Sequence, residues 1–270
     1  MDCWTGAARP EHIRGRDRRR AEHGHRGRHR GGSVDPDSDK RSVTVNDRQL
    51  PDKTAIESLR AGDPALARLI DRLEPVDLAS WRARSSLDNF GSLARAIVGQ
   101  QIATRASAAI FGRLQRFIGQ RDAASAIAGA SDAELRAIGL SANKAASLRD
   151  LAARALDGRL QLDKLETLTD DEAHAQLTAV RGIGSWTADM FLLGQLGRPD
   201  VLPAGDLGIR RAVQELYGLD AMPSEGEVRR LGEAWRPHRS LATAYLYSSL
   251  RAPTLRDPAA AKVPPISSVG

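Results

Sequence analysis

The 270-residue chain has a single cysteine, Cys3. That excludes a disulfide framework, a cysteine-rich structural zinc site and a four-cysteine iron–sulfur cluster. Aromatic residues make up only 4%, so each tryptophan and tyrosine has to be placed individually. No run approaches the roughly 18 apolar residues of a membrane-spanning helix. The N-terminus carries charge but no apolar segment, which argues against a secretory signal. Alternating β-branched runs are missing except at residues 42–45. The expectation is a soluble protein of the cytoplasm, with one large domain or two modest ones.

What the chain has in excess is positive charge, and it is unevenly placed. The formal charge is +6. Residues 1–32 hold nine arginines against Asp2, Glu11, Asp17 and Glu22, and four of the six histidines. Beyond them 31 basic residues face 30 acidic ones, so the body is nearly neutral. Residues 1–48 are too polar to offset the entropy of ordering and are expected to be a disordered tail. It is either a nucleic-acid-binding arm or a passive extension. Its histidines lack the fixed spacing of a metal site. Residues 252–270, with Pro253, Pro258, Pro264 and Pro265, are expected to be a second irregular tail.

Between the tails, residues 49–251 read as helix nearly throughout. Asp63-Pro64 starts a helix whose Leu66, Leu69, Ile70 and Leu73 share a face. Asp88 precedes Phe90, Leu93, Ala94, Ile97 and Val98 at helical spacing, and Phe111, Leu114, Phe117 and Ile118 mark the next helix. Ser131…Glu134, Thr169…Glu172 and Ser224…Glu227 are capping boxes. Ser141 and Ser185 open further helices, and residues 240–250 form the last. The fold class is all-α, with about nine to eleven helices.

Two local patterns carry chemistry. In Val180-Arg-Gly182-Ile183-Gly184-Ser185-Trp186-Thr-Ala-Asp189, two glycines flank one apolar residue at a helix start. Ile183 anchors the turn, the glycines leave backbone N–H groups open to an anionic oxygen, and Ser185 caps the second helix. A ligand-free helix–turn–helix is the plainer alternative, and a dinucleotide site is disfavoured because no strand precedes the turn. Some 20 residues on, Pro203-Ala-Gly205-Asp206 leads into another helix. Asp206 is an N-cap, and the helix dipole favours its charged form, suited to stabilising a cation. Arg210 and Arg211 lie one turn further, as phosphate contacts or as solvated surface.

Taken in order, these segments resemble the helix-hairpin-helix DNA glycosylase superfamily, and specifically its 3-methyladenine DNA glycosylase II branch. Phe90–Ile102, with its Gly99-Gln100-Gln101 turn, resembles the family's early helix, and Trp235–Tyr245 its final helix. Residues 138–148 also match, and the set spans residues 50–251. The resemblance implies a two-lobed fold with the active-site cleft between the lobes and the hairpin at about 177–190. It implies Asp206 as the catalytic carboxylate and Gly182, Ile183, Gly184 and Ser185 as the phosphate grip. A monovalent cation (Na⁺ or K⁺) on the backbone carbonyls of Thr178, Val180 and Gly182 is implied as well, with no required cofactor. Gln100 or Gln101 would fill the gap left by the flipped nucleotide, and Arg210 and Arg211 would contact DNA.

Trp186 stands where strand-cleaving relatives carry a Schiff-base lysine, so the expectation is a monofunctional enzyme without a lyase step. Trp186, Met190 and Tyr247 are expected to line a pocket for a cationic alkylated purine. Tyr245, two residues from Tyr247, cannot share its face and is assigned to the core, and Trp81 and Trp235 are read as structural. The chain resembles the compact form without the extra N-terminal α/β domain, acting as a monomer on damaged double-stranded DNA. A relative acting on uracil or hypoxanthine, or a non-catalytic DNA-binding module, are the alternatives.

Overall fold

The structure, a computed structural model, describes residues 53–78 and 87–252. Both expected tails, the possible strand at 42–45 and Trp81 lie outside the described residues. Among those described there are no strands, and the order is α1 (Lys53–Gly62), α2 (Pro64–Arg72), α3 (Asn89–Gly99), α4 (Thr104–Ile118), α5 (Ala123–Ala128), α6 (Asp132–Ile138), α7 (Ala142–Leu156), α8 (Asp170–Thr178), α9 (Ser185–Gly194), α10 (Leu207–Tyr217), α11 (Glu225–Leu231) and α12 (Arg239–Ser249). Two 3₁₀ turns, Leu162–Lys164 and Gly232–Trp235, complete it. Twelve α-helices exceed the expected number because α5 is six residues of Ala, Ser and Ile, too short to show a periodic face.

The helix starts follow local chemistry. Asp63 Oδ1 accepts from the N–H groups of Ala65 and Leu66, with Pro64 at the first helical position. Asp88 caps α3, Asp122 caps α5 and Ser141 caps α7. All three expected capping boxes form, at Ser131, Thr169 and Ser224.

Packing divides the chain into two cores. The first is drawn from residues 90–201: Leu93, Ile97, Leu114, Leu148, Leu151, Leu177 and Phe191 are among its members. The second combines Leu59, Leu66, Leu69 and Val76 with residues 202–246, including Val213, Trp235, Tyr245 and Leu246. The chain therefore crosses between cores twice. The second crossing is abrupt: Val201 belongs to the first core and Leu202 to the second.

That crossing is fastened to α12. Val201 N donates to Ser240 Oγ at 3.0 Å, Ser240 Oγ donates to Arg198 O at 2.5 Å, and Thr243 Oγ1 donates to Val201 O at 3.2 Å. Arg239 and Arg236 hold the Asp200 carboxylate at 2.8 and 2.7 Å. Ser240 and Thr243 are fully buried, so these bonds also satisfy groups that would be costly to leave alone.

The second core is closed by Asp63. Its Oδ2 accepts from Trp235 Nε1 at 2.7 Å and from Tyr217 Oη. One buried carboxylate thus ties α2 to the end of α10 and to the 3₁₀ turn before α12. Trp235 and Tyr245 are both core residues, in line with their structural assignment.

Candidate active site

The glycine turn between α8 and α9 is fixed from three sides. Ile183 is buried in the first core. Gly182 has φ +80°, and a Cβ there would lie 2.5 Å from Ser147 Oγ on α7, so both the backbone conformation and the close approach require glycine. Arg181 N donates to Asp150 Oδ2 at 2.7 Å, and Gln100 Nε2 donates to Gly182 O at 2.7 Å. Burial opposes charge on the Asp150 carboxyl, but the Arg181 N–H and the Arg154 guanidinium outweigh it and hold the group below the usual range.

Ser185 is not the cap of α9. Gly184, in an extended conformation, occupies that position, and no side chain accepts from the first turn. Ser185 is the first helical residue, and its Oγ lies 3.1 Å from His174 Nε2. Among the described residues, no acceptor meets the N–H groups of Gly184, Ser185 or Trp186. The turn therefore presents open donors at a helix N-terminus, the arrangement that attracts an anion.

Asp206 follows the core crossing by a few residues. It caps α10, with Oδ1 accepting from Ile209 N at 2.9 Å. Its other oxygen, Oδ2, accepts from Trp186 Nε1 at 2.6 Å. The bond joins α9 of the first core to α10 of the second, and places the carboxylate beside the glycine turn. Trp186 is 41% exposed. Gly208 packs against this carboxylate: a Cβ there would lie 2.9 Å from Asp206 Oδ1, 3.3 Å from Leu250 Cδ1 and 3.5 Å from Tyr247 Cε1.

Met190 is buried yet belongs to neither core. Tyr247 Oη donates to its Sδ at 3.8 Å across the seam. Burial and the nearby Asp206 charge push the Tyr247 hydroxyl pKa up, so it stays protonated. Trp186 and Tyr247 thus stand beside Asp206, with Met190 against Tyr247. Asp189, on the same helix, is 14% exposed and faces His174 Nε2 at 3.5 Å. Burial raises its carboxyl to about 6.

The other expected contacts are placed less directly. Gln100 is engaged with the turn itself. Gln101 is exposed in the left-handed region, at φ 58°, a conformation that costs a non-glycine residue energy. Arg210 Nε donates to Pro223 O at 2.7 Å, which ties it to the α10–α11 connection. Arg211 pairs with Glu215 on the surface. Leu207 and Leu250, exposed apolar residues beside Asp206, were not singled out from the sequence. Nor were His174, Asp150 and Ser147, because their partners lie on α9 or in the glycine turn, distant in sequence.

A family model for HhH-GPD superfamily base excision DNA repair proteins matches residues 94–237, more than half of the chain. The chain belongs to the HhH-GPD superfamily. This HhH-GPD chain is 33% identical over 171 residues to DNA-3-methyladenine glycosylase 1 of Schizosaccharomyces pombe, covering 62% of this chain and 75% of that protein. Coverage of other curated relatives is lower: the match to a Bacillus subtilis DNA-3-methyladenine glycosylase spans 46% of this chain and 41% of the relative, at 28% identity over 124 residues.

Among solved structures, a DNA-3-methyladenine glycosidase from Bacillus halodurans superposes with a TM-score of 0.67 at 32% identity, covering 74% of this chain and 90% of that one. An S. pombe 3-methyladenine DNA glycosylase in complex with abasic DNA gives 0.59 at 29%, covering 73% and 97%. A Clostridium acetobutylicum 8-oxoguanine glycosylase/lyase gives 0.59 at 19%, which shows a shared fold alone. The chain therefore shares the fold of these glycosylase structures, and its partner is DNA.

Proposed function

We propose that the chain is a monofunctional DNA glycosylase of the 3-methyladenine glycosylase II type. It hydrolyses the N-glycosidic bond of alkylated purines such as 3-methyladenine and 7-methylguanine and leaves an abasic site. The names of the relatives support the substrate class. The observation that carries the chemistry is the Trp186–Asp206 bond at 2.6 Å: a helix-cap carboxylate, held at both oxygens, faces the phosphate-gripping turn across the seam. A module that only bound DNA could use the cap at Oδ1, but not a second oxygen turned toward the phosphate-gripping turn.

Cleavage of the glycosidic bond develops positive charge on the sugar. A carboxylate fixed by Ile209 N–H and Trp186 Nε1–H stabilises that charge without reorganising. Its remaining lone pairs orient the attacking water and accept its proton. The target nucleotide has to leave the stack to reach this carboxylate, and the open N–H groups of the turn hold the backbone while it does so. Alkylated purines are cationic and leave without protonation, so no general acid is needed. The faces of Trp186 and Tyr247 favour a cationic base, with Met190 as the apolar floor.

Absence of a lyase step is supported by Trp186, whose indole cannot form a Schiff base. The carbonyl oxygens of Thr178, Val180 and Gly182 are the uncharged, hard donors that suit a monovalent cation. Val180 O and Gly182 O each accept one hydrogen bond, from Ile183 N and Gln100 Nε2, and keep a second lone pair. A cation bound there would add positive charge for a DNA phosphate. We further propose a monomer acting in the cytoplasm on damaged double-stranded DNA, without a required cofactor.

The test is a base-release panel. The protein should free 3-methyladenine and 7-methylguanine from methylated duplex DNA, and Asp206→Asn should bind the duplex but lose release. Release of uracil or hypoxanthine without methylpurines would transfer the assignment to deaminated bases. Equal release by wild type and Asp206→Asn would remove the carboxylate from the mechanism.

A further inference from the structure

His174 has no part in the chemistry derived above, yet it bridges the two helices of the turn. It stands on α8, and its Nε2 faces two groups on α9: Ser185 Oγ at 3.1 Å and Asp189 Oδ1 at 3.5 Å. The arrangement has a directional consequence. An ionised carboxylate only accepts hydrogen bonds, so Asp189 favours a proton on Nε2. That N–H, with the Asp189 carboxylate alongside at 3.5 Å, then donates to Ser185 Oγ at 3.1 Å. Its own hydrogen is left to point away from the imidazole.

The position of that hydroxyl is what gives the arrangement meaning. Ser185 follows Gly184 at the start of α9, where no side chain caps the helix. The N–H groups of Gly184, Ser185 and Trp186 meet no acceptor among the described residues. A hydroxyl donor released at this point adds to those amides, and all of them favour one anion.

We propose that His174, held by Asp189, is a positioning residue that turns the Ser185 hydroxyl outward as an additional donor to a DNA backbone phosphate. The proposal rests on the phosphate-gripping role of the turn and requires no particular damaged base.

The experiment compares wild type with His174→Ala, His174→Gln, Ser185→Ala and the His174→Ala/Ser185→Ala double variant. Affinity is read by fluorescence anisotropy with a duplex carrying a tetrahydrofuran abasic-site analogue. Single-turnover release of 7-methylguanine at saturating enzyme and the melting temperature are measured alongside. His174→Ala and Ser185→Ala should each weaken binding roughly tenfold to a hundredfold, the size of one hydrogen bond to a charged group. The double variant should be no weaker than either single, because both remove the same contact. His174→Gln, whose amide donates at a similar reach, should restore part of the affinity, and the saturated release rate of the two His174 single variants should stay within about twofold of wild type.

Wild-type affinity in His174→Ala overturns the proposal. So does a double variant whose losses multiply, or a loss that tracks a lowered melting temperature and resists rescue by glutamine. If wild type binds the abasic duplex but frees no base from methylated DNA, the glycosylase reading fails while the binding comparison still decides the role of His174.

Discussion

Replacing Gly208 with alanine should separate the catalytic geometry from the stability of the fold. Gly208 is the second residue of α10 and has no positive φ, so alanine suits its backbone. In a helix interior that exchange is worth about 0.5–1 kcal/mol in favour of alanine. The new Cβ, however, would lie 2.9 Å from Asp206 Oδ1, with Leu250 and Tyr247 closing the other sides at 3.3 and 3.5 Å. The carboxylate has to recede by several tenths of an ångström, roughly, to reach ordinary contact. Its 2.9 Å cap bond to Ile209 N weakens as it moves, at a cost of about 1 kcal/mol. These two effects nearly cancel, so the melting temperature should change little.

The reaction has no such compensation, since displacement of a catalytic group by about an ångström costs on the order of a hundredfold. We expect a tenfold to hundredfold slower single-turnover release of 7-methylguanine, as an order of magnitude. Gly226→Ala is a matched control. It is the second residue of α11, and only the far end of Arg230, at 4.0 Å, approaches its Cβ position. It should keep the wild-type rate. A Gly208→Ala rate within twofold of wild type would refute the view that Asp206 is held in a tightly determined position.

Two further outcomes follow from the same neighbourhood. Trp186→Phe keeps an aromatic face but removes the donor to Asp206 Oδ2, a bond to a charged group worth about 1.5–3 kcal/mol; kcat should fall roughly tenfold or more, and an unchanged kcat would show that the indole N–H leaves the carboxylate before the reaction. The Asp189 carboxyl is raised to about 6 from 3.8, so the folded state binds its proton more tightly than the unfolded state. Stability from this group is present at low pH and is lost as pH rises toward 6. Asp189→Asn should therefore be more stable than wild type at pH 7.5, by at most about 3 kcal/mol, with the difference falling to about a third of that near pH 4.5 and vanishing only near pH 3, below the unfolded value of 3.8. A pH-independent difference in melting would mean that lost packing, not charge, governs the site.

The parts of the fold legible in the sequence are those decided within one helical turn. Asp63, Asp88, Ser131, Ser141, Thr169, Ser224 and Asp206 all cap the helices their spacing announced, because a cap bonds N–H groups two or three residues away. Ser185 misled for the same local reason: a serine beside a glycine resembles a cap, but Gly184 took the position and the hydroxyl found His174. The resemblance brought Trp186, Met190, Tyr247 and Asp206 into one site; in the structure Trp186 and Tyr247 lie beside Asp206 and Met190 lies against Tyr247. What spacing left open was the Trp186 indole donating to Asp206, since a 20-residue separation says nothing about which way a side chain faces. Gln100 on Gly182 O, Asp150 on Arg181 N–H and Asp200 on Arg239 were equally hidden, each pairing residues 31 or more positions apart in the chain. Arg210 was expected to reach outward and instead satisfies a loop carbonyl.

The two cores have different relations to the order of synthesis. The first is written in one unbroken stretch, so it is complete in sequence once residue 201 has been made, with its ends joined by contacts such as Ser92 to Gln195. The second needs α1 and α2 to wait, apolar faces uncovered, until residues from 202 onward arrive; its closure entropy belongs to the whole intervening domain. Asp206 sits in that late half, and its Trp186 partner in the early one. A nascent or truncated chain with only the first core complete already owns the phosphate grip, but no carboxylate. On the proposed mechanism such a chain lacks the attacking group, so base removal waits until Asp206 and the elements of the second core are in place.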